Sequence, residues 1–322
     1  MSRAIHRGLP ALAIALSALL AASGASAAAP MVKTQAPGYY RMMLGDFEIT
    51  ALSDGTSPMA AIMIDEPEGE TRSAMSKAFR DIPTETSTNA YLINTGSKLI
   101  LVDTGAGSLL VPSLGHLVEN LKASGYRPEQ VDEIYLTHLH PDHIGGLMAG
   151  DSLVFPNATV FADKHDPDLW LSQALMDAAP KDGMAGQRRW RMAMASLNPY
   201  VARGKFRTFD GSTNLEPGLK AIAAPGHTPG HTMYAIESKG QKLLLWGDII
   251  GAEPVQFTEP NVATKFDNDG KVASEQRNKA LQDASRQGYW VAGAHISFPG
   301  IGHVRTDAGT YTFVPADYNA LR

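Results

Sequence analysis

The chain contains no cysteine. No disulfide can hold it together, and no thiol is exposed to oxidation if it enters an oxidising compartment. It also lacks a GxSxG stretch, the sharp turn that presents a nucleophilic serine in many hydrolases. Beyond the first residues no apolar run approaches the about 20 residues that cross a bilayer, so no membrane is expected as a partner. Basic charge is in deficit: 28 Lys and Arg stand against 33 Asp and Glu, a formal net charge of −5. That balance argues against nucleic acid as a partner. No solenoid-like repeat or low-complexity tract is visible.

The N-terminus is read as a removable export signal. Arg3, His6 and Arg7 precede an uncharged apolar run from Leu9 to Ala22, and small residues end at Ala25-Ser26-Ala27. The run is too short to span a membrane and has the order of a secretory signal peptide. Cleavage is expected after Ala27, with Ala29 as the alternative. Residues 1–27 contain two arginines and no acid, so the charge of the remaining chain becomes −7. The expected organisation is a signal peptide at 1–27 and one domain at 28–322, exported to a periplasmic or extracellular location.

Periodicity supplies the elements. Strands are expected at Tyr39 to Leu44 and Phe47 to Ser53 across the Gly45-Asp46 turn, then at Ala90 to Ile93 and Lys98 to Val102 across Thr95-Gly96-Ser97. Residues 54 to 88, with prolines and mixed charge, read as an irregular or partly helical insertion. Val111, Leu114, Leu117, Val118 and Leu121 recur at helical spacing up to Gly125, with His116 facing solvent. A strand at Thr159 to Ala162 precedes a helical insertion over 166 to 200. In the second half, strands are expected at Leu219 to Ala223, Met233 to Glu237, Lys242 to Trp246 and Tyr289 to Ala292, with a helix from Ser274 to Arg286.

The densest chemistry lies in Thr137 to Gly146, THLHPDHIGG. Three histidines and an aspartate fall within six residues, His138 to His143, behind the apolar run Ile134 to Leu136. Imidazole nitrogen and carboxylate oxygen are the donors that suit zinc and its first-row neighbours. His138 and His140 alternate as an extended segment places them, so both can reach one ion. After Pro141 the chain turns, and Asp142 and His143 point differently, which suits a second ion. Further donors arrive behind other apolar runs: His227 and His231 in APGHTPGH, Asp248 in LLLWGDII and His295 in WVAGAH.

The ordered pattern HxHxDH, His, Asp, His resembles the metallo-β-lactamase superfamily. LINTGSKLILVDTGAG, GYRPEQVDEIYLTHLHPDH, GHTPGHT, WGDII and AHISFPGIGH make it most similar to the methyl parathion hydrolases and related lactone and aryl-ester hydrolases. The resemblance implies an α/β fold, a four-layer αβ/βα sandwich with a helical insertion near the active site. It implies one divalent ion on His138, His140 and His227 and another on Asp142, His143 and His295. Asp248 would bridge them, making Asp142 and Asp248 catalytic as well as ligating. The ions would be zinc, with Mn, Fe or Co also compatible with the donors.

Asp103 is either a turn residue or an acid that orients a ligand, the role the resemblance implies. His231 is either packed or a hydrogen-bonding support. Trp170 and Trp190 suit a core at helical spacing, but the insertion in the similar hydrolases overhangs the metals, which makes Trp170 a candidate substrate contact. His165 has no assigned role beyond a place on the rim.

The implied reaction is hydrolysis by a solvent molecule activated between two cations. The expected substrates are small neutral esters, organophosphate triesters or aryl lactones. Acyl-homoserine lactones are the alternative, disfavoured because the tyrosine three positions after the bridging acid in those lactonases is Gly251 here. A catalytically inactive, metal-stabilised binding protein is the reading from another class. The resemblance further implies a homodimer.

Overall fold

A computed structural model describes residues 29–59, 64, 67–183 and 186–321. The expected signal segment therefore lies outside the described residues. Residues from Pro37 onward form one compact unit.

Its first sheet has seven strands. β1 (Tyr39–Leu44), β2 (Phe47–Met59), β3 (Thr84–Asn94) and β4 (Leu99–Val102) pair antiparallel in sequence order. β5 (Glu133–Tyr135) then joins β4 in parallel. Past a small β6–β7 hairpin (Met148–Ala149, Ser152–Leu153), β8 (Thr159–Asp163) and β9 (Phe206–Phe209) extend the parallel half. The second sheet runs in sequence order through β10 (Thr213–Glu216), β11 (Leu219–Ala223), β12 (Thr232–Ser238), β13 (Gln241–Leu245), β14 (Trp290–Ala292), β15 (Ile301–Asp307) and β16 (Thr310–Pro315). Only β13 and β14 pair in parallel there.

Strand alternation explains why the two sheets stack. Ile100 and Val102 point into one buried cluster with Tyr135, Tyr234, Leu243 and Leu245, the core between the sheets. Their neighbours Leu99 and Leu101 point the other way, into a cluster with Leu117, Leu121, Leu197 and Tyr200. Those last residues belong to α2 (Leu117–Ala123) and α6 (Arg188–Ala202). In the same way Leu244 turns outward onto Leu281 and Ala284 of α8 (Gly270–Gln287), the long helix that follows the short α7 (Glu253–Gln256). A period of two along the central strands thus buries both faces of each sheet there, giving helix, sheet, sheet, helix. This is the metallo-β-lactamase fold expected from the sequence.

Three segments differ from their sequence reading. Residues 54 to 88 are not mainly irregular: β2 continues to Met59 and pairs with a Thr-rich start of β3, with α1 (Glu68–Lys77) between. A register shift at Ser53/Gly55 breaks the alternation that would have revealed it. The helix expected from Val111 begins only at Leu117. Pro112 and left-handed Gly115 (φ +93°) interrupt it, and Asp54 accepts the backbone N–H groups of Ala106, Gly115 and Leu117, pinning the preceding loop.

The third is the helical insertion, which is three helices. α3 (Pro141–Ile144) lies in the histidine-rich loop, and the insertion itself comprises α4 (His165–Trp170), α5 (Gln173–Ala178) and α6. Pro180 follows α5, and Gly183 (φ +90°) bends the chain before α6. Besides the two-residue β6 and β7, the strands β9, β10, β15 and β16 were not anticipated. They are short or exposed on one side, with polar residues that carry weak periodicity.

Candidate metal centre

All seven predicted donors come together at one end of the two sheets. Four segments deliver them: the loop after β5, the loop between β11 and β12, the turn after β13 and the loop after β14. His138, His140, His227 and Asp248 form one group of donor atoms within 4.8 Å of one another, and Asp142, His143 and His295 form a second. Asp248 joins them. Its Oδ2 lies 3.1 Å from His227 Nε2, 3.8 Å from His138 Nε2 and 3.2 Å from His295 Nε2, while Oδ1 lies 3.2 Å from His143 Nε2. His295 Nε2 is also 3.4 Å from Asp142 Oδ2. His140 turns Nδ1 towards the group, 3.0 Å from His227 Nε2.

The chain positions these side chains through backbone contacts. Pro141 starts α3 directly after His140, which separates the directions of His140 and His143. Gly247 is left-handed, and a Cβ there would approach His231 Nε2 to 2.8 Å; only glycine lets β13 turn in this way to present Asp248. The loop carrying His295 is tied to β3: Asn89 donates to the carbonyls of Gly293 and Ile296, and its own N–H donates to Ala294.

Each imidazole is also fixed from behind. His143 Nδ1 donates to Asp103 Oδ2 at 2.9 Å. The Thr137 hydroxyl donates to the same oxygen and accepts from His138 Nδ1 at 3.1 Å. Asp103 therefore orients one histidine of each group, and it holds a left-handed backbone (φ +62°) that a non-glycine residue adopts at a cost of order 1–3 kcal/mol. His295 Nδ1 donates to the Ser87 carbonyl at 2.8 Å. His231 donates from Nδ1 to the Ala224 carbonyl and accepts the Asp248 N–H at Nε2. Both its nitrogens are engaged, so it supports the turn and offers no donor to the centre.

Two orienting residues were missed in the sequence. Asp267 accepts from His227 Nδ1 at 2.7 Å and is held by the Thr264 N–H, with buried Arg277 3.9 Å away. Asp166 accepts the N–H groups of Leu139 and Gly230, tying the two histidine loops together. Asp267 lies in the polar run FDNDG, and Asp166 lies in a helix start; neither has a local pattern that distinguishes it from a surface acid.

The electrostatics of the centre are those of bases and acids waiting for a cation. Burial pushes His138 and His140 well down, reinforced by His143 for the first and His227 for the second. Burial also opposes charge on His227 and His295, but Asp248 and its neighbours win, raising them to about 9 and about 10. Against that same burial, the nearby imidazoles hold the carboxyls of Asp142 and Asp248 low. Burial and the His227 charge bring His231 to about 3, consistent with its neutral role. His138 Nε2, His143 Nε2 and Asp248 Oδ1 are buried with no hydrogen-bond partner. Orphaned lone pairs of this kind, converging from two sides of one carboxylate, fit a pair of divalent ions.

A cavity of about 700 Å³ opens over the centre. His140, Asp142, His227, Asp248 and His295 form its floor, with Met59, Leu110, Met192 and Phe266 as apolar walls. Trp170 is not part of it, which corrects its assignment as a substrate contact. It is buried behind His140, ring centroids 5.6 Å apart, and packs on Trp190 at 4.7 Å within the outer core. α4 turns its indole towards the sheet, so it can act on substrate only through His140. His165 is bonded to Asp163 at 2.6 Å and does not line the cavity. Lys181, Arg188, Arg189 and Arg191 line the rim, so the cavity is not walled by apolar side chains alone.

Comparison with known proteins agrees with this geometry. Residues 83–295, well over half of the chain, match the metallo-beta-lactamase superfamily. A crystal structure of hydrolase AbOPH, in the beta lactamase superfamily, superposes with a TM-score of 0.85 at 38% identity, covering 89% of this chain and all of that one. AidC, a dizinc quorum-quenching lactonase, gives 0.79 at 27% identity over 88% of this chain and 99% of its own. An N-acyl homoserine lactonase of Bacillus cereus is 25% identical over 59% of this chain and 74% of its own length. Fold, converging donors and relatives lead to one conclusion: the chain is a metal-dependent hydrolase belonging to the metallo-β-lactamase superfamily.

Proposed function

We propose that the protein hydrolyses an ester bond of a small molecule with two divalent ions, zinc foremost, and that a lactone is the first substrate class to test. The observation that carries this reading is the placement of Asp248 between two donor groups, one oxygen facing His143 and the other facing His227. His138, His140 and His227 would hold one ion; Asp142, His143 and His295 the other. The ions would supply Lewis acidity and a water of lowered pKa. The protein's part is to orient the donors through Asp103, Asp267 and Ser87, and to receive the substrate against Met59, Met192 and Phe266. The similarity to two lactonases supports the lactone class.

A second reading, aryl esters and organophosphate triesters, is favoured by position 251. Gly251 lines the cavity and carries no proton donor, so a substrate whose leaving group departs without protonation suits the site best. Residues 1–27 are proposed as the export signal, placing the enzyme outside the cytoplasm, and a homodimer is proposed as its assembly. The test of function is a panel of aryl lactones, acyl-homoserine lactones, p-nitrophenyl phosphotriesters and a cephalosporin. Lactones or activated esters should lead. A dominant cephalosporinase rate would overturn the proposal.

A further inference from the structure

The first turn of α6 carries three arginines, Arg188, Arg189 and Arg191, and no acid. A helix N-terminus is the positive end of the backbone dipole, where carboxylates stabilise and cations do not. The usual compensation, a carboxylate partner, is absent. Among the described residues none of the three forms an ion pair, and neither does Lys181, which precedes them on the same rim. Arg188 reaches only the Leu109 carbonyl at 3.5 Å, and Arg191 only the Gln187 side chain at 3.2 Å. Asp182, exposed, is the one carboxylate in the cavity lining outside the metal centre. Four cations thus face one acid at the mouth of a cavity in a protein whose net charge is −5. Fold stability gives no reason for the arrangement, since like charges crowd where the dipole already disfavours them.

Arg189 is the best placed of the four. Its guanidinium lies over the Phe266 ring, 5.7 Å from the centroid, and both side chains line the cavity. A cation over the ring face is attracted to it at that distance, and the N–H fork of Arg189 has no protein acceptor among the described residues, which leaves it open to a planar one. Burial draws Arg189 below an ordinary guanidinium, and the charge that offsets this is the carboxylate of Asp142 on the cavity floor. It is therefore partly desolvated, within electrostatic reach of the centre, and unpaired.

We propose that Arg189, held over the Phe266 ring, is a specificity-determining residue that binds a carboxylate carried by the substrate away from the bond being cleaved. The substrate class is then an anionic ester or lactone, with the other three cations raising its local concentration at the cavity mouth. This deepens the hydrolase reading and rests on it. A neutral triester or simple aryl lactone would leave the guanidinium without a partner, and its turnover would be a secondary capacity of the same centre.

The test compares mono-p-nitrophenyl glutarate, which bears a free carboxylate, with its neutral methyl ester, on the metal-loaded enzyme. The ratio of kcat/KM, charged over neutral, should exceed one and fall as salt is raised. Arg189→Met should lower that ratio at least tenfold, mainly through KM for the charged ester. R189K should restore part of it, and Arg203→Met, at the far end of α6, should leave it unchanged. A ratio unaffected by R189M, or one equally lowered by R203M, overturns the assignment. Calorimetric binding of the two non-hydrolysable anilide analogues separates this from the hydrolase reading. Tighter binding of the charged anilide that R189M abolishes sustains the anion site even if no ester is turned over, a result that would count against the hydrolase. Equal binding of both anilides refutes the site even if both esters are hydrolysed.

Discussion

Asp267→Asn is the substitution whose effect follows most directly from the geometry. The change keeps the shape and leaves an oxygen able to accept from His227 Nδ1, but it removes the negative charge from a 2.7 Å bond. Such a bond is charge-assisted and roughly twice as strong as a neutral one. It also makes Nε2, which faces Asp248, a stronger donor to a metal. Loss of a partner of this kind weakens metal binding by about 10–100-fold, or about 1.4–2.7 kcal/mol at 1.36 kcal/mol per decade. A second cost is expected because Arg277, 1% exposed, loses the carboxylate nearest to it. Its bonds to the carbonyls of Ile249, Pro260 and Val262 remain, so the stability loss should stay at about 1–3 kcal/mol and leave the chain folded. The assay is zinc competition against a chromophoric chelator, with circular dichroism to confirm folding. An affinity within twofold of the native protein would show that Asp267 does not tune His227.

Other outcomes follow from the same structure. Asp248→Ala should lower turnover by about 10²-fold or more while the chain remains folded, read by steady-state kinetics beside thermal melts. In the metal-stripped protein His227 and His295 are raised above their unfolded value to about 9 and about 10. Their contribution to stability is complete below about pH 6.5 and is lost as pH rises through 9–10. Stripped protein should therefore melt progressively lower from pH 7 to 10, whereas loaded protein should not, and zinc uptake at pH 8 should release protons in a weakly buffered titration; a flat stripped-protein profile would contradict the shifts. Trp170→Ala should cost about 3–5 kcal/mol of stability by emptying the outer core, while Trp170→Phe should leave KM nearly unchanged; a large KM effect of the conservative change would return Trp170 to the substrate.

The donors that the structure brings together were legible because ligating chemistry concentrates such residues locally. His138, His140, Asp142 and His143 fall within six residues, and His227, Asp248 and His295 each follow an apolar run that the structure makes a strand. Strands with both faces buried, such as β4, were equally clear, since Leu99–Val102 is an uninterrupted apolar run. What stayed hidden depends on distant partners. Asp267 matters only because α8 and the loop before it close over His227, and Asp166 only because it accepts from two loops 91 residues apart in sequence, at Leu139 and Gly230. Trp170 shows the opposite failure. Helical spacing pointed to a core position, which the structure bears out, whereas the resemblance pointed to the substrate; the side of His140 that it occupies is set by how α4 and α6 pack, which periodicity does not encode. The basic rim went unread for a similar reason: nothing in the local pattern of Arg188, Arg189 and Arg191 shows that the fold turns them over a cavity.

The hydrolase reading depends on two cations held by seven side chains, with Asp248 shared between them. The most direct measurement is elemental analysis of the protein purified without chelator, paired with activity measured during stepwise reloading of the stripped chain. Close to two divalent ions per chain, both required for full turnover, is the expected result. Full activity with one ion or none would contradict the shared centre.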